Sequence, residues 1–136
     1  MKYKNNKTWS TNLYLLNLAL LITHEIDSAF WKEWDLFGMS GGIQGFLIVN
    51  FLIILGGLIG FRNLIIDHKS GYYFALVLAV AGVFAFCIHL YFIMAGHQEF
   101  TLLVSIAILI VTLVVSLIQG VLALQALRKK RKMEIT

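Results

Sequence analysis

Residues 101–127 read TLLVSIAILIVTLVVSLIQGVLALQAL and contain no charged side chain. As a helix this run is about 40 Å long at 1.5 Å per residue, enough to cross the roughly 30 Å of hydrocarbon in a bilayer. Working outward from it, residues 10–30, 43–61 and 72–95 each also reach the roughly 20 apolar positions that a membrane-spanning helix requires. The whole chain follows this pattern: 60% of its 136 residues are hydrophobic and 13% are charged, against about a quarter charged in an ordinary soluble domain. The mean hydropathy is +0.84. The sequence therefore predicts an all-α, polytopic membrane protein, one domain over residues 1–136 built as a four-transmembrane-helix bundle, ending in a basic tail at 128–136.

Charge placement orients this bundle in the cell membrane. Lys2, Lys4 and Lys7 precede the first span, Arg62 and Lys69 flank the connection between the second and third, and Arg128, Lys129, Lys130, Arg131 and Lys132 follow the fourth. By the positive-inside rule all three regions, and hence both termini, are expected on the cytoplasmic side. Glu25, Asp27, Glu33, Asp35 and Glu99 then fall toward the opposite face with one lysine, Lys32. The net charge of +4 is thus an argument about topology and not about nucleic acid. The RKKRK tail is a candidate contact for anionic lipid, at about 1 kcal/mol per basic residue near the surface.

The first span begins like a signal peptide, but His24, Glu25 and Asp27 stand where a small-residue cleavage site is required, so the segment is expected to stay in the mature chain. Cys87 is the single cysteine, which excludes an intramolecular disulfide and CxxC redox chemistry. With no proline in the chain, the interrupted helices common at transporter midplane sites are not indicated. The pairs Gly41/Gly45 and Gly56/Gly60 carry the small-xxx-small spacing of close helix packing, expected here within the bundle.

The end of the first span is unusually polar. THEIDSAFWKEW, residues 23–34, follows LYLLNLALLI, residues 13–22, and that part, apolar but for Asn17, covers only about 15 Å, half the hydrocarbon. Trp9 and Tyr14 suggest one interfacial belt and Phe30, Trp31 and Trp34 another, which places His24, Glu25 and Asp27 inside the bilayer. Ionisable groups at that depth cost a few kcal/mol unless they face the bundle interior and find partners.

Helical phase supplies partners. Asn17, His24, Asp27 or Ser28, and Trp31 share a stripe on the first helix. Gly82, Ala85, His89 and Gly96 share one on the third, with His89 at nearly the depth of His24. Ser105, Thr112, Ser116 and Gln119 share one on the fourth, while Gln44 and Asn50 are the strongly polar side chains of the second. His97 and Glu99, in the short loop GHQEF, would close over the group. His24, Asp27, His89 and His97 are candidate metal ligands, because imidazole and carboxylate suit zinc, iron or manganese. Glu25 and Glu33 are candidate general bases; Asn17, Asn50, Glu99 and Ser105 complete the expected buried polar set. HEIDS lacks the second histidine of HExxH, so zinc-protease chemistry does not carry over.

The pattern H24-E25-x-D27-S28-x4-E33-W34 resembles the HExDA-x4-EW signature of a family of small, uncharacterised bacterial membrane proteins with four spans. H89-x2-F92 and E99-F100-x4-S105 resemble that family's third-helix histidine and the start of its fourth helix. The resemblance implies that His24, Glu25, Asp27, Glu33, Trp34 and His89 are the positions of interest. The chain departs from it at Asn50, near which a further histidine is expected. Two classes of function fit: a metal-dependent membrane enzyme acting on a lipid-like or small substrate, or a non-catalytic accessory, immunity or sensor protein whose cluster is a polar core and whose loops meet a membrane-protein partner or a second copy. A proton- or ion-coupled transporter would use the same groups.

Overall fold

A computed structural model of the chain describes residues 2–97 and 101–135, and every regular element among them is helical. Four long helices, α1 (Lys2–Phe30), α3 (Gly42–Ile65), α4 (Lys69–Met94) and α5 (Leu103–Ile135), alternate in direction, and a four-residue helix, α2 (Glu33–Leu36), lies in the first connection. All four long helices contain segments long and apolar enough to cross a membrane: Lys7–Phe30, Gly42–Ile65, Lys69–Met94 and Leu103–Met133. Both termini therefore lie at one end of the bundle, and the α1–α3 and α4–α5 connections at the other, hereafter the far end. The RKKRK segment is not a loose tail. It continues α5 to Ile135, as runs of Lys, Arg and Met favour.

The helices form a closed ring in which α1 packs on α3 and α5, and α4 packs on α3 and α5. Across the ring α1 also touches α4, whereas α3 and α5 do not meet among the described residues. The cross-section is thus a rhombus with α1 and α4 on its short diagonal. Between membrane helices lipid competes for apolar surface, so association rests on close packing and interhelical hydrogen bonds, and both are found here. Gly71 lets α4 meet the backbone of α3: a Cβ there would lie 2.5 Å from the Leu64 nitrogen. Gly82 makes room for α5 side chains, lying against Thr112 and Ser116.

Tyr14, Asn17, Leu21, His24 and Ser28 recur every three or four residues and are all buried, so one face of α1 points inward along its length. Tyr14 is consequently not part of an interfacial belt. It is fully buried and its hydroxyl donates to the Gly57 carbonyl at 2.9 Å. Below the far end, the Asn17 amide donates to Ser116 Oγ (3.1 Å) and Gln119 Oε1 (3.2 Å), and the Gln119 amide donates to the Ala75 carbonyl (2.8 Å). Those bonds tie α1, α4 and α5 together inside the apolar layer. At the end carrying the termini, Lys130 Nζ lies 3.1 Å from Asp67 Oδ1, and Tyr72 donates to the same carboxylate oxygen at 2.8 Å. His68 caps α4 by accepting from the Ser70 N–H at 3.3 Å.

Candidate functional site: a His–Glu–His cluster at the far end

At the far end the short diagonal brings two histidines together. The rings of His24 (α1) and His89 (α4) meet edge to face with centroids 4.7 Å apart, and both residues are buried. Gly82, seven positions before His89, belongs to the face that lets α4 sit close to its neighbours.

Glu33 arrives by a different route. α1 ends at Phe30, and Lys32 adopts the left-handed conformation (φ 54°, ψ 47°) before α2 begins. That turn folds the chain back over the bundle end and buries Glu33. Trp34 packs on Phe46 (centroids 5.4 Å) and Phe37 on Phe92 (5.5 Å), clamping α2 to α3 and α4. The rest of the connection turns at Gly38, Gly41 and Gly42, each at positive φ, which glycine adopts without steric cost.

His24, Glu33 and His89 each present a ligand-type atom, and these atoms all lie within 4.8 Å of one another. His89 Nε2 and Glu33 Oε1 lie 3.5 Å apart. His89 Nδ1 is 2.7 Å from the Ala85 carbonyl; a carbonyl only accepts, so Nδ1 carries the proton. In the neutral ring Nε2 therefore directs a lone pair at a carboxylate oxygen. A histidine that donates one ring N–H to a backbone carbonyl and turns the other nitrogen to the ligand group is the usual arrangement around metal ions. Two ligand atoms on one tetrahedral zinc ion lie about 3.4 Å apart, given bonds of about 2.0–2.2 Å. The His89–Glu33 spacing of 3.5 Å matches this, and no spacing in the group exceeds it by more than about 1.4 Å.

The other residues singled out in the sequence are distributed around this group. Glu25 is half-buried one step round α1, close enough to Asn50 for a side-chain hydrogen bond and near enough to Glu33 to feel its charge. Asn50 is buried and its amide donates to the Phe46 carbonyl at 3.1 Å. Asp27 is turned toward α5, where its carboxylate accepts from Ser105 Oγ at 3.0 Å; the structure does not bring it into the three-residue group. His97 is exposed and packs edge-on against Phe92, at 5.4 Å, outside the group as well. Glu99 lies outside the described residues. Asn17 belongs to the polar network deeper in the bundle.

Periodicity did not reveal what lies beside the cluster. His24, Glu25, Glu33, Asn50 and His89 form the polar end of a cavity of about 530 Å³ between α1, α3 and α4. The cavity is not sealed: Leu52, Val77 and Phe84 line it and are themselves exposed, so whatever surrounds that flank of the bundle has access to it. The one sequence signal was Gly56 beside Gly57: a Cβ at Gly56 would meet no atom within 4 Å, because that side of α3 opens on the cavity.

Fold and site together define a four-span helical membrane protein with a buried histidine–carboxylate cluster at one end of the bundle. The chain belongs to a family of unknown function, DUF6713, whose model matches residues 10–126. No curated protein and no solved structure matches it.

Proposed function

We propose that this protein binds one divalent transition-metal ion, zinc, iron or manganese, through His24, Glu33 and His89, and that Glu25 stands beside the ion as a general base. The observation that carries this reading is the lone pair of His89 Nε2, fixed by the Nδ1–Ala85 bond and aimed at the Glu33 carboxylate 3.5 Å away. Two acceptors facing one another in a low-dielectric interior repel unless a cation or a proton lies between them. Three protein ligands leave coordination positions open, as in catalytic rather than structural zinc sites. An ion there would polarise a bound water or carbonyl, and Glu25, next to Glu33 and Asn50, is the base nearest to hand.

In this reading the whole chain is one domain, both termini face the cytoplasm by the distribution of lysine and arginine, and the cluster lies near the extracytoplasmic face. The basic end of α5, residues 128–136, would then lie against anionic headgroups.

Elemental analysis of detergent-purified protein without a histidine tag tests the site. Wild type is expected to hold zinc, iron or manganese near one ion per chain, and His24→Ala combined with His89→Ala to hold none. A wild type that stays metal-free after incubation with each ion overturns the proposal. The cluster would then be a polar core of an accessory or sensor protein, or a proton site, with Glu33 and His89 sharing a proton.

A further inference from the structure

We infer that the cavity beside the cluster is a binding site for one lipid acyl chain, entered sideways from the bilayer, with the polar end of that lipid presented to His24, Glu33 and His89; this rests on the reading of the cluster as the functional centre.

The distribution of polarity in the cavity comes first. Its polar side chains gather at one end, where His24, Glu25, Glu33, Asn50 and His89 meet, and its long walls are aliphatic or aromatic, among them Val49, Leu52 and Phe84. Tyr14 closes the other end, its hydroxyl already given to the Gly57 carbonyl. Along those apolar walls water gains nothing, since a water molecule needs two or more polar partners to settle. The cavity therefore suits an amphiphile with one polar end.

Its mouth faces lipid. Leu52, Val77 and Phe84 line the cavity and are also 59, 66 and 63% exposed, so the opening lies between α3 and α4 on the flank of the bundle. Its length fits one leaflet: Tyr14 and His24 stand ten residues apart on α1, about 15 Å along the axis, half the roughly 30 Å hydrocarbon core.

A single hydrocarbon chain is narrow enough for a space of about 530 Å³, and the bilayer delivers it directly to the mouth.

The test uses full-length protein in phosphatidylcholine–phosphatidylglycerol vesicles doped with a phosphatidylcholine that carries a photoreactive diazirine on one acyl chain. After illumination, adducts are expected on the cavity walls of α3 and α4, around Val49, Gly56, Ala81 and Phe84. Gly56→Phe points a ring into open space and should abolish those adducts, while labelling at Ile110 and Leu117 on the exposed face of α5 is unchanged. Ala81→Phe blocks the same cavity from α4 and serves if the first variant does not fold, as judged by circular dichroism. Wall adducts that persist in the folded variants, or cross-links between two copies through α3 and α4 in place of lipid adducts, overturn the inference. Metal content measured on the same samples separates the two readings: metal retained with adducts indifferent to Gly56→Phe sinks the lipid site alone, and adducts lost from a protein that never held metal sink the metal site alone.

Discussion

Because the Ala85 carbonyl takes the Nδ1 proton of His89, the imidazole offers Glu33 either a lone pair or a second proton, and the two states respond differently to one substitution. Glu33→Gln keeps the shape of the side chain, removes its charge and supplies an N–H donor. If an ion bridges the pair, Glu33→Gln should lose it, by elemental analysis, at little cost to folding. If a proton bridges the pair, the amide replaces the carboxylate as a neutral partner and nothing measurable is lost. Asn17 tests a different kind of polar residue, one with a purely structural part. The two bonds its amide donates to α5 fall in a class worth about 0.6 kcal/mol on average and at most about 1.7 in membrane bundles. Asn17→Ala should therefore lower stability by about 1 kcal/mol in detergent unfolding and leave metal content unchanged. Tyr14 shows where a sequence reading goes astray at this scale: aromatic residues near a span's end suggest an interface, but the three- and four-residue spacing to Asn17, Leu21 and His24 puts this one in the core.

Among the elements, α2 has the largest consequence for its size. Only four residues long, it carries Glu33 into the bundle, and Lys32 at positive φ sets its direction. A left-handed non-glycine residue costs about 1–2 kcal/mol, while glycine in its place loosens the unfolded chain by about 0.4–1 kcal/mol. The first term is larger, so Lys32→Gly should raise stability by about 0.5 kcal/mol in thermal unfolding and preserve metal binding. Lys32→Val should do the reverse, since a β-branched residue is a poor occupant of that region, and Glu33 would be displaced with loss of metal. This element also marks the limit of what the sequence disclosed. The four spans were legible because twenty-odd apolar residues have few other uses, and His24 with His89 because their depths match on inward faces. Glu33 was visible as a residue of interest but not as the third member of the group, since its place depends on one backbone angle at Lys32 that no periodicity encodes. Asp27 was grouped with His24 by a spacing of three, yet that offset of about 60° was enough to hand it to Ser105 on α5.

At the scale of the whole molecule, the polar bonds inside the apolar layer are unevenly shared. α1, α4 and α5 are joined through Asn17, Ser116, Gln119 and the Ala75 carbonyl, and α1 and α5 again through Asp27 and Ser105. The attachments of α3 include the Tyr14 bond to Gly57, the Asn63 amide donating to Ser70 Oγ at 2.9 Å, and the notch at Gly71. All three lie in the half of the bundle that carries the termini. Mechanically, this is a three-post frame with a fourth post held by hydrogen bonds and a backbone notch at its foot and, at its head, by the Trp34–Phe46 contact and the polar contact of Asn50 with Glu25, and the cavity opens beside it. Distances between spin labels should record that asymmetry once Cys87 has been replaced by serine. Labels on Ile48 and Ile110, toward the far end, are expected to give a broader distribution than labels on Ile59 and Ile118 nearer the pinned end, and equal widths would mean that α3 is as firmly set as the rest. The rhombic cross-section thus acquires a mechanical meaning: α3, out of reach of α5, takes no part in the hydrogen bonds that hold the other three helices together, so the doorway and the frame belong to separate parts of one small molecule.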